Sequence, residues 1–357
     1  MTPQHPQQFG SDNWAGTAPE ALAALIDASR AGHAPAYGGD AWTQRACDAI
    51  RSLFDREVEV YFVFNGTAAN ALSLAALCRP YEAVVCTPLA HIAVDECNAV
   101  GFFGHGIALL PTAGDPAAPS GAKMTPTALR AAATARTDLH APRAAAVSLT
   151  QSTELGSVYS LEELQALTAT ARELGLKVHM DGARFANALV ALGCTPAAMT
   201  WQAGIDVLSF GMTKNGAPAG EAVVFFDRAL AEAFEWRAKQ AGQLASKMRM
   251  VTAPWVGLLE GGAWLRHAAH ANAMATRLAD AIAALPGVDL LQRPQSDGVF
   301  AWLPRPAVES LHERGWLFHE MLPPREGKMG CRLMCAWDTQ AETVDAFAAD
   351  LATACRA

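Results

Sequence analysis

Short, almost wholly apolar runs alternate with amphipathic stretches along the first two thirds of the chain. Six runs read as strands: 58–64, 83–87, 144–149, 177–181, 207–210 and 222–227. They are brief and, apart from 177–181, lack a clean polar alternation, which is the pattern of strands covered on both faces. The best-marked helix lies between them. Ser160-Leu-Glu-Glu163 forms a capping box, Leu161, Leu164, Leu167 and Ala171 recur at helical spacing, and Gly175 stops it. Short buried strands alternating with such helices predict a three-layer α/β/α unit on a mostly parallel sheet over residues 46–250. The stretch 111–126, rich in Pro, Gly and Ala, reads as a surface loop within it, because strand and helix patterns resume afterwards. From residue 253 a long helical pattern runs to about residue 285. Apolar runs at 288–291, 298–303 and 331–336 and a last helix follow, predicting a small α/β unit over 251–357. Residues 1–45 read as an arm that other parts of the chain must tie down.

Composition narrows the function classes. The 357 residues are 51% hydrophobic, enough for a large core, and the formal net charge is −8. An acidic chain offers no cationic surface to displace counterions from a phosphate backbone, so nucleic-acid binding is a poor fit. Two long uncharged stretches, 60–78 and 185–205, are interrupted by Asn, Gly, Thr, Pro and Gln and read as buried elements with turns, not membrane spans. The first residues carry neither a basic segment nor an apolar one, so a cytoplasmic location is expected. Eight cysteines are scattered without a CxxC pair, as expected of reduced, mostly buried thiols.

Common catalytic signatures are missing: there is no GxGxxG, GxxxxGK[ST], GxSxG or HExxH. His267 and His270 stand three apart on a predicted helix, but no Cys or carboxylate cluster accompanies them, and no metal site is expected. Three other features are more informative. Asn65-Gly66-Thr67-Ala68-Ala69-Asn70 follows a strand and opens a helix, where Gly66 permits a tight turn, Thr67 can cap, and free N–H groups attract an anion. Many strand-to-helix turns look like this with nothing bound. Asp181-Gly182-Ala183-Arg184 ends a predicted strand, where ligands gather in open α/β sheets, although a surface ion pair is the plainer reading. Lys214 ends the next strand in otherwise uncharged surroundings, which suits a nucleophilic amine. An anion cup, a strand-end Asp and a strand-end Lys, in that order, are what pyridoxal 5′-phosphate (PLP) requires: a phosphate anchor, an acid facing the pyridine nitrogen, and a Schiff-base amine.

With these residues in view the chain resembles the low-specificity L-threonine aldolases, PLP enzymes of fold type I (aspartate aminotransferase-like), over nearly its whole length. The resemblance rests on Ser11-Asp12-Asn13, Tyr37-Gly38-Gly39-Asp40, Gly66-Thr67-Ala68-Ala69-Asn70, Ala90-His91-Ile92, Asp181-Gly182-Ala183-Arg184 and Thr213-Lys214-Asn215-Gly216. One departure is Ser-Asp-Asn-Trp-Ala-Gly at the amino end, where many members carry a Ser-Asp-Thr-Val-Thr-like segment; this bears on the substrate side chain and not on the chemistry. The resemblance implies that Lys214 binds the cofactor covalently, Asp181 pairs with the pyridine nitrogen, His91 stacks on the ring, and Gly66 and Thr67 hold the phosphate. It implies a substrate-carboxylate clamp of Ser11, Arg184 and Arg332. It further implies a homodimer or homotetramer, in which Lys239 reaches a neighbour's phosphate, Tyr37 crosses the interface, and Lys247 or Arg249 is a second donor. The implied reaction is retro-aldol cleavage of threonine, allo-threonine, phenylserine or a related β-hydroxy-α-amino acid to glycine and an aldehyde. His91 is the candidate base, with Glu96 and Glu154 as helpers. An aminotransferase, a β-eliminating lyase or a non-catalytic PLP-binding protein are the alternatives, because the same lysine, aspartate and cup serve them all.

Overall fold

Strands Glu59–Val63 (β1), Glu82–Cys86 (β2), Ala108–Pro111 (β3), Arg143–Thr150 (β4), Lys177–Gly182 (β5), Val207–Phe210 (β6) and Glu221–Phe225 (β7) form one sheet in the order β1-β7-β6-β5-β4-β2-β3. Only β7 runs against its neighbours, so the sheet is mostly parallel. The computed structural model describes residues 5–113 and 122–356, so much of the expected 111–126 loop lies outside the described residues. Alternate side chains of each strand sort to opposite faces. Val60, Phe62, Val147, Leu149, Leu208 and Phe210 pack with helices Ala41–Phe54, Leu161–Glu173 and Phe185–Leu192, whereas Val63, Val207, Val223 and Phe225 pack with helices Gly66–Leu77 and Phe234–Gln240. Helices on both faces are why these strands carry no polar alternation. Strand β3 escapes sequence reading because it is four residues long, half-buried and closed by a proline at the sheet edge.

The second sheet is antiparallel, in the order β10-β11-β9-β8, from Asp289–Leu290 (β8), Gly298–Pro304 (β9), His319–Arg325 (β10) and Lys328–Met334 (β11). Strand β10 is unpredicted from sequence: its HEMLPPR buries only Leu322 and contains two prolines, which an edge strand tolerates. The single helix expected from residue 253 is two helices, Arg249–Leu259 and Ala263–Ile282. The break is Gly261 and Gly262, both at positive φ (77° and 69°), a conformation that costs glycine little and other residues much. The first of these helices packs on helices Pro19–Arg30 and Ala41–Phe54, and Trp255 and Trp264 belong to the large sheet's core.

The arm is tied down by the small sheet. Phe9 is fully buried against Trp316 and Phe347; its N–H donates to the Leu317 carbonyl (3.2 Å), and its carbonyl accepts from the Met334 N–H (2.8 Å). Further along, the Ala18 N–H donates to the Gly216 carbonyl at 2.8 Å, two residues from Lys214. The arm is thereby stretched across the carboxyl ends of the large sheet's strands.

Candidate active site

Those strand ends carry a polar row. Thr150 on β4, Asp181 on β5 and Ser209 on β6 are direct neighbours in register, and all three line a cavity of about 340 Å³. Parallel strands in register bring residues far apart in sequence to one edge. The cavity also collects Asn13, Gly66, Thr67, Asn70, His91, Glu96, Glu154, Arg184, Lys214 and Glu221.

At one wall is the N-terminus of helix Gly66–Leu77. Its cap is Asn65, whose side chain accepts from the Ala68 N–H at 2.9 Å, so Thr67 does not cap as the sequence suggested and sits in the first turn. The Gly66 and Thr67 N–H groups have no partner among the described residues, and a Cβ built on Gly66 meets nothing within 4 Å. Unclaimed first-turn amides with open space before them form an anion site.

Asn70, one turn on, is 2% exposed, and its Nδ2 donates to both Glu96 Oε1 and Asp181 Oδ2, each at 2.8 Å. The amide orientation is forced, because its oxygen would meet two acceptors. Asp181 Oδ1 accepts from the Ala183 N–H at 2.9 Å. His91 Nδ1 lies 2.8 Å from Glu96 Oε1, and this hydrogen bond, against the effect of burial, raises the imidazole above its ordinary range. Burial in turn raises Glu96. Asp181, Asn70, Glu96 and His91 are therefore one connected file. Glu154 accepts from Thr150 Oγ1 (2.7 Å) and the His91 N–H (3.2 Å), and burial pushes its carboxyl up to about 7.

Lys214 follows β6 in a short turn, Thr213–Asn215. Burial, with help from the nearby Arg184 charge, lowers its ammonium below the usual range. Glu221 lies beneath it, accepts from the Met212 N–H at 2.7 Å and is raised by burial. A lysine that gives up its proton easily at the floor of a cavity is a ready nucleophile.

The expected carboxylate clamp is only partly assembled around this cavity. Arg184 lines it, but its Nε and Nη2 are held by Asp12 at 2.7 and 3.1 Å, and Asp297 Oδ1 approaches Nε to 3.5 Å. Arg332 lines a small adjoining cavity with Arg184, Glu154 and Asp297, and its Nη2 donates to the Gly10 carbonyl at 3.2 Å. Ser11 borders neither cavity and accepts from the Asn13 N–H at 3.2 Å. Tyr37 and Lys239 lie elsewhere: both are exposed, the Lys239 ammonium sits 4.6 Å from the Tyr37 ring centre, and Tyr37 lines a separate cavity with Glu235 and Met248. Lys247 is exposed and Arg249 half-buried, and neither lines the Lys214 cavity. Sequence reasoning assigned no role to Asn70, Asp12, Glu221, Thr150, Ser209 or Asp297. Asn70 and Asp12 stood inside quoted motifs, whereas the others carry no local pattern.

The donor set fits PLP. Unclaimed helix amides suit a phosphate, Asp181 a pyridine nitrogen and Lys214 an aldehyde carbon, while Asn70 Oδ1, Glu96 Oε2 and Glu154 Oε2 are buried without partners around the same space.

Comparison with known proteins points the same way. A family model described as beta-eliminating lyase matches residues 8–304. Low specificity L-threonine aldolases from Pseudomonas sp. (strain NCIMB 10558) and Pseudomonas aeruginosa are each 52% identical to this chain, covering 98% and 97% of both partners respectively. The chain belongs to the low-specificity L-threonine aldolases. That membership makes it a PLP-dependent carbon–carbon lyase of fold type I. A solved Leishmania major threonine aldolase superposes with a TM-score of 0.90 at 27% identity, covering 98% of this chain and 100% of that one. Sphingomonas wittichii serine palmitoyltransferase shares the fold at a TM-score of 0.72 and 15% identity, over 98% of this chain and 86% of that one.

Proposed function

We propose that the protein cleaves L-threonine, L-allo-threonine and related β-hydroxy-α-amino acids such as phenylserine to glycine and an aldehyde. The observation that carries this reading is the meeting of free helix amides, Asp181, Lys214 and the His91–Glu96 pair in one cavity of a chain 52% identical to enzymes named for that activity. Bound PLP supplies an electron sink for the pair released when the Cα–Cβ bond breaks.

The chain's own residues do the rest. Lys214 Nζ, kept readily deprotonated by burial, would hold the cofactor at its aldehyde carbon. Gly66 and Thr67 would hold the phosphate and His91 the ring, while Asp181, braced by Asn70, would keep the pyridine nitrogen protonated. Arg184 and Arg332, with Ser11 nearby, receive the substrate carboxylate; with Nε and one Nη2 position spent on Asp12, Arg184 offers its remaining Nη donors. His91 Nε2, which makes no hydrogen bond among the described residues while Nδ1 is held by Glu96, takes the β-hydroxyl proton. Glu154 stands by as a second proton carrier.

The same reading divides the chain into an arm (1–45), a PLP-binding part (46–250) and a small carboxy-terminal part (251–357), with the clamp drawn from all three. It makes the protein a cytoplasmic homodimer or homotetramer. Lys239 and Tyr37, paired and exposed away from their own cavity, serve that of a second copy, with Lys247 or Arg249 beside them. Among the described residues no helix is long and apolar enough to cross a membrane.

The test is incubation of PLP-loaded protein with L-threonine, L-allo-threonine and L-phenylserine separately, without a keto acid, assaying glycine and aldehyde together. Equal amounts of both are expected. Neither product from any substrate, with PLP bound, overturns the reading in favour of transamination or β-elimination.

A further inference from the structure

Two buried carboxyl groups flank Arg184. Asp12 comes from the arm and Asp297 from the turn before β9, and they are 1% and 2% exposed. Asp12 claims Nε and Nη2 of the guanidinium, and Asp297 Oδ1 stands 3.5 Å from that same Nε without a hydrogen-bond partner, so the two carboxyl groups converge on one nitrogen. Two ionised carboxylates converging on one nitrogen repel, and one can donate to the other only when it carries a proton. One guanidinium cannot neutralise two buried carboxylates and a substrate carboxylate together.

We propose that Asp297 is a positioning residue for the substrate clamp, holding a proton against Asp12 so that Arg184 keeps net positive charge for an incoming carboxylate. This rests on the proposed aldolase reading. The groups facing Asp297 agree on which carboxyl holds the proton. Burial opposes ionisation of Asp12, but Arg184 and Lys214 outweigh it and hold that carboxyl below the usual range. Burial raises Asp297 to about 7 against the pull of Arg184, with Asp12 adding to the rise. Arg332 on β11 is the other cation nearby, Glu154 borders the same small cavity, and the buried Cys335 thiol is raised well above its usual range. Loss of the Asp297 proton therefore adds a second negative charge beside Arg184.

The competent fraction is the protonated one, so KM should rise about tenfold between pH 6 and pH 8. The test measures kcat and KM for L-threonine, and the dissociation constant of glycine by cofactor absorbance, across that range in the holoenzyme and in Asp297→Asn. The expected result is a KM and a glycine constant that climb with pH in the parent and stay flatter in D297N, with parallel kcat profiles. Buried protonated acids should also show an infrared carbonyl stretch at pH 6 that fades by pH 8; Glu154, raised to about 7, contributes one such band, so that of Asp297 is the one that persists in Glu154→Gln and is missing from D297N. KM profiles that run parallel in the two proteins overturn the inference while leaving the aldolase reading intact, as does absence of that infrared band from Glu154→Gln should D297N not fold. Absence of glycine binding and of turnover from the parent overturns the aldolase reading and this inference with it.

Discussion

Asn70→Ala deletes one buried amide nitrogen that joins two carboxyl groups, Glu96 Oε1 and Asp181 Oδ2, each at 2.8 Å. A hydrogen bond to a charged acceptor contributes about 1.5–3 kcal/mol, so the pair sets a ceiling of about 3–6 kcal/mol. Two features lower it. Glu96 Oε1 keeps its contact with His91 Nδ1, and Asp181 Oδ1 keeps the Ala183 N–H. The cavity also admits water to the gap, so a loss of about 2–4 kcal/mol is expected. The assay is equilibrium urea unfolding of the parent, Asn70→Ala, Glu96→Gln and the double variant, at fixed protein and cofactor concentration because both bias the equilibrium. A coupling of about 1 kcal/mol or more between positions 70 and 96 is expected, since both substitutions act on the same bond. A loss under about 0.5 kcal/mol, or additive single effects, would refute Asn70 as the bridge.

Three further outcomes are expected. Lys214→Ala should leave the fold intact and abolish PLP trapping by borohydride; a covalently reduced cofactor in that variant would sink the lysine assignment. Gly66→Ala puts a methyl group into open cavity space, so unfolding free energy should change by less than about 1 kcal/mol while PLP affinity falls at least about tenfold; unchanged PLP affinity would remove Gly66 from the phosphate cup. Glu154, raised to about 7 by burial, keeps a proton in the folded state that the unfolded chain has released above the ordinary value of 4.5, so stability falls as pH rises through that window. Glu154→Gln cannot ionise and should exceed the parent at pH 8 by about 1–3 kcal/mol, discounted for the open cavity, with the advantage shrinking toward pH 5. An advantage independent of pH would show that burial is not the cause.

The functional elements legible in the sequence were those with a local physical signature. Strand runs at 58–64, 177–181 and 207–210, the capping box at Ser160 and the strand-to-helix turn at Gly66 each depend on residues within one turn or one strand of each other. Asp181 and Lys214 were legible because each is a charged residue at the end of a strand pattern, where burial makes charge expensive and function the usual reason for it. Strands β3 and β10 were not, because edge strands need neither burial nor alternation. The 253–285 helix was misread as one piece because two glycines inside a helical pattern signal a break only when tertiary packing requires the left-handed turn.

The partners of Arg184 and the roles of Asp12, Asp297 and Asn70 were decided by tertiary structure alone. Arg184 reads in sequence as one half of a surface ion pair or as a carboxylate ligand; folding brings it a carboxylate from 172 positions away and a second from the turn before β9. Asn70 reads as a polar residue on an apolar helix, and only the crossing of helix Gly66–Leu77 over the end of β5 makes it the link between Glu96 and Asp181. The sequence by itself determined six strands of the large sheet in chain order, the anion-binding helix start and the identities of the strand-end aspartate and lysine, because these follow from short-range periodicity and capping. Which charges meet, which are neutralised and which remain for a substrate was decided by the folded chain, because electrostatic energy depends on distances and burial that no local pattern encodes.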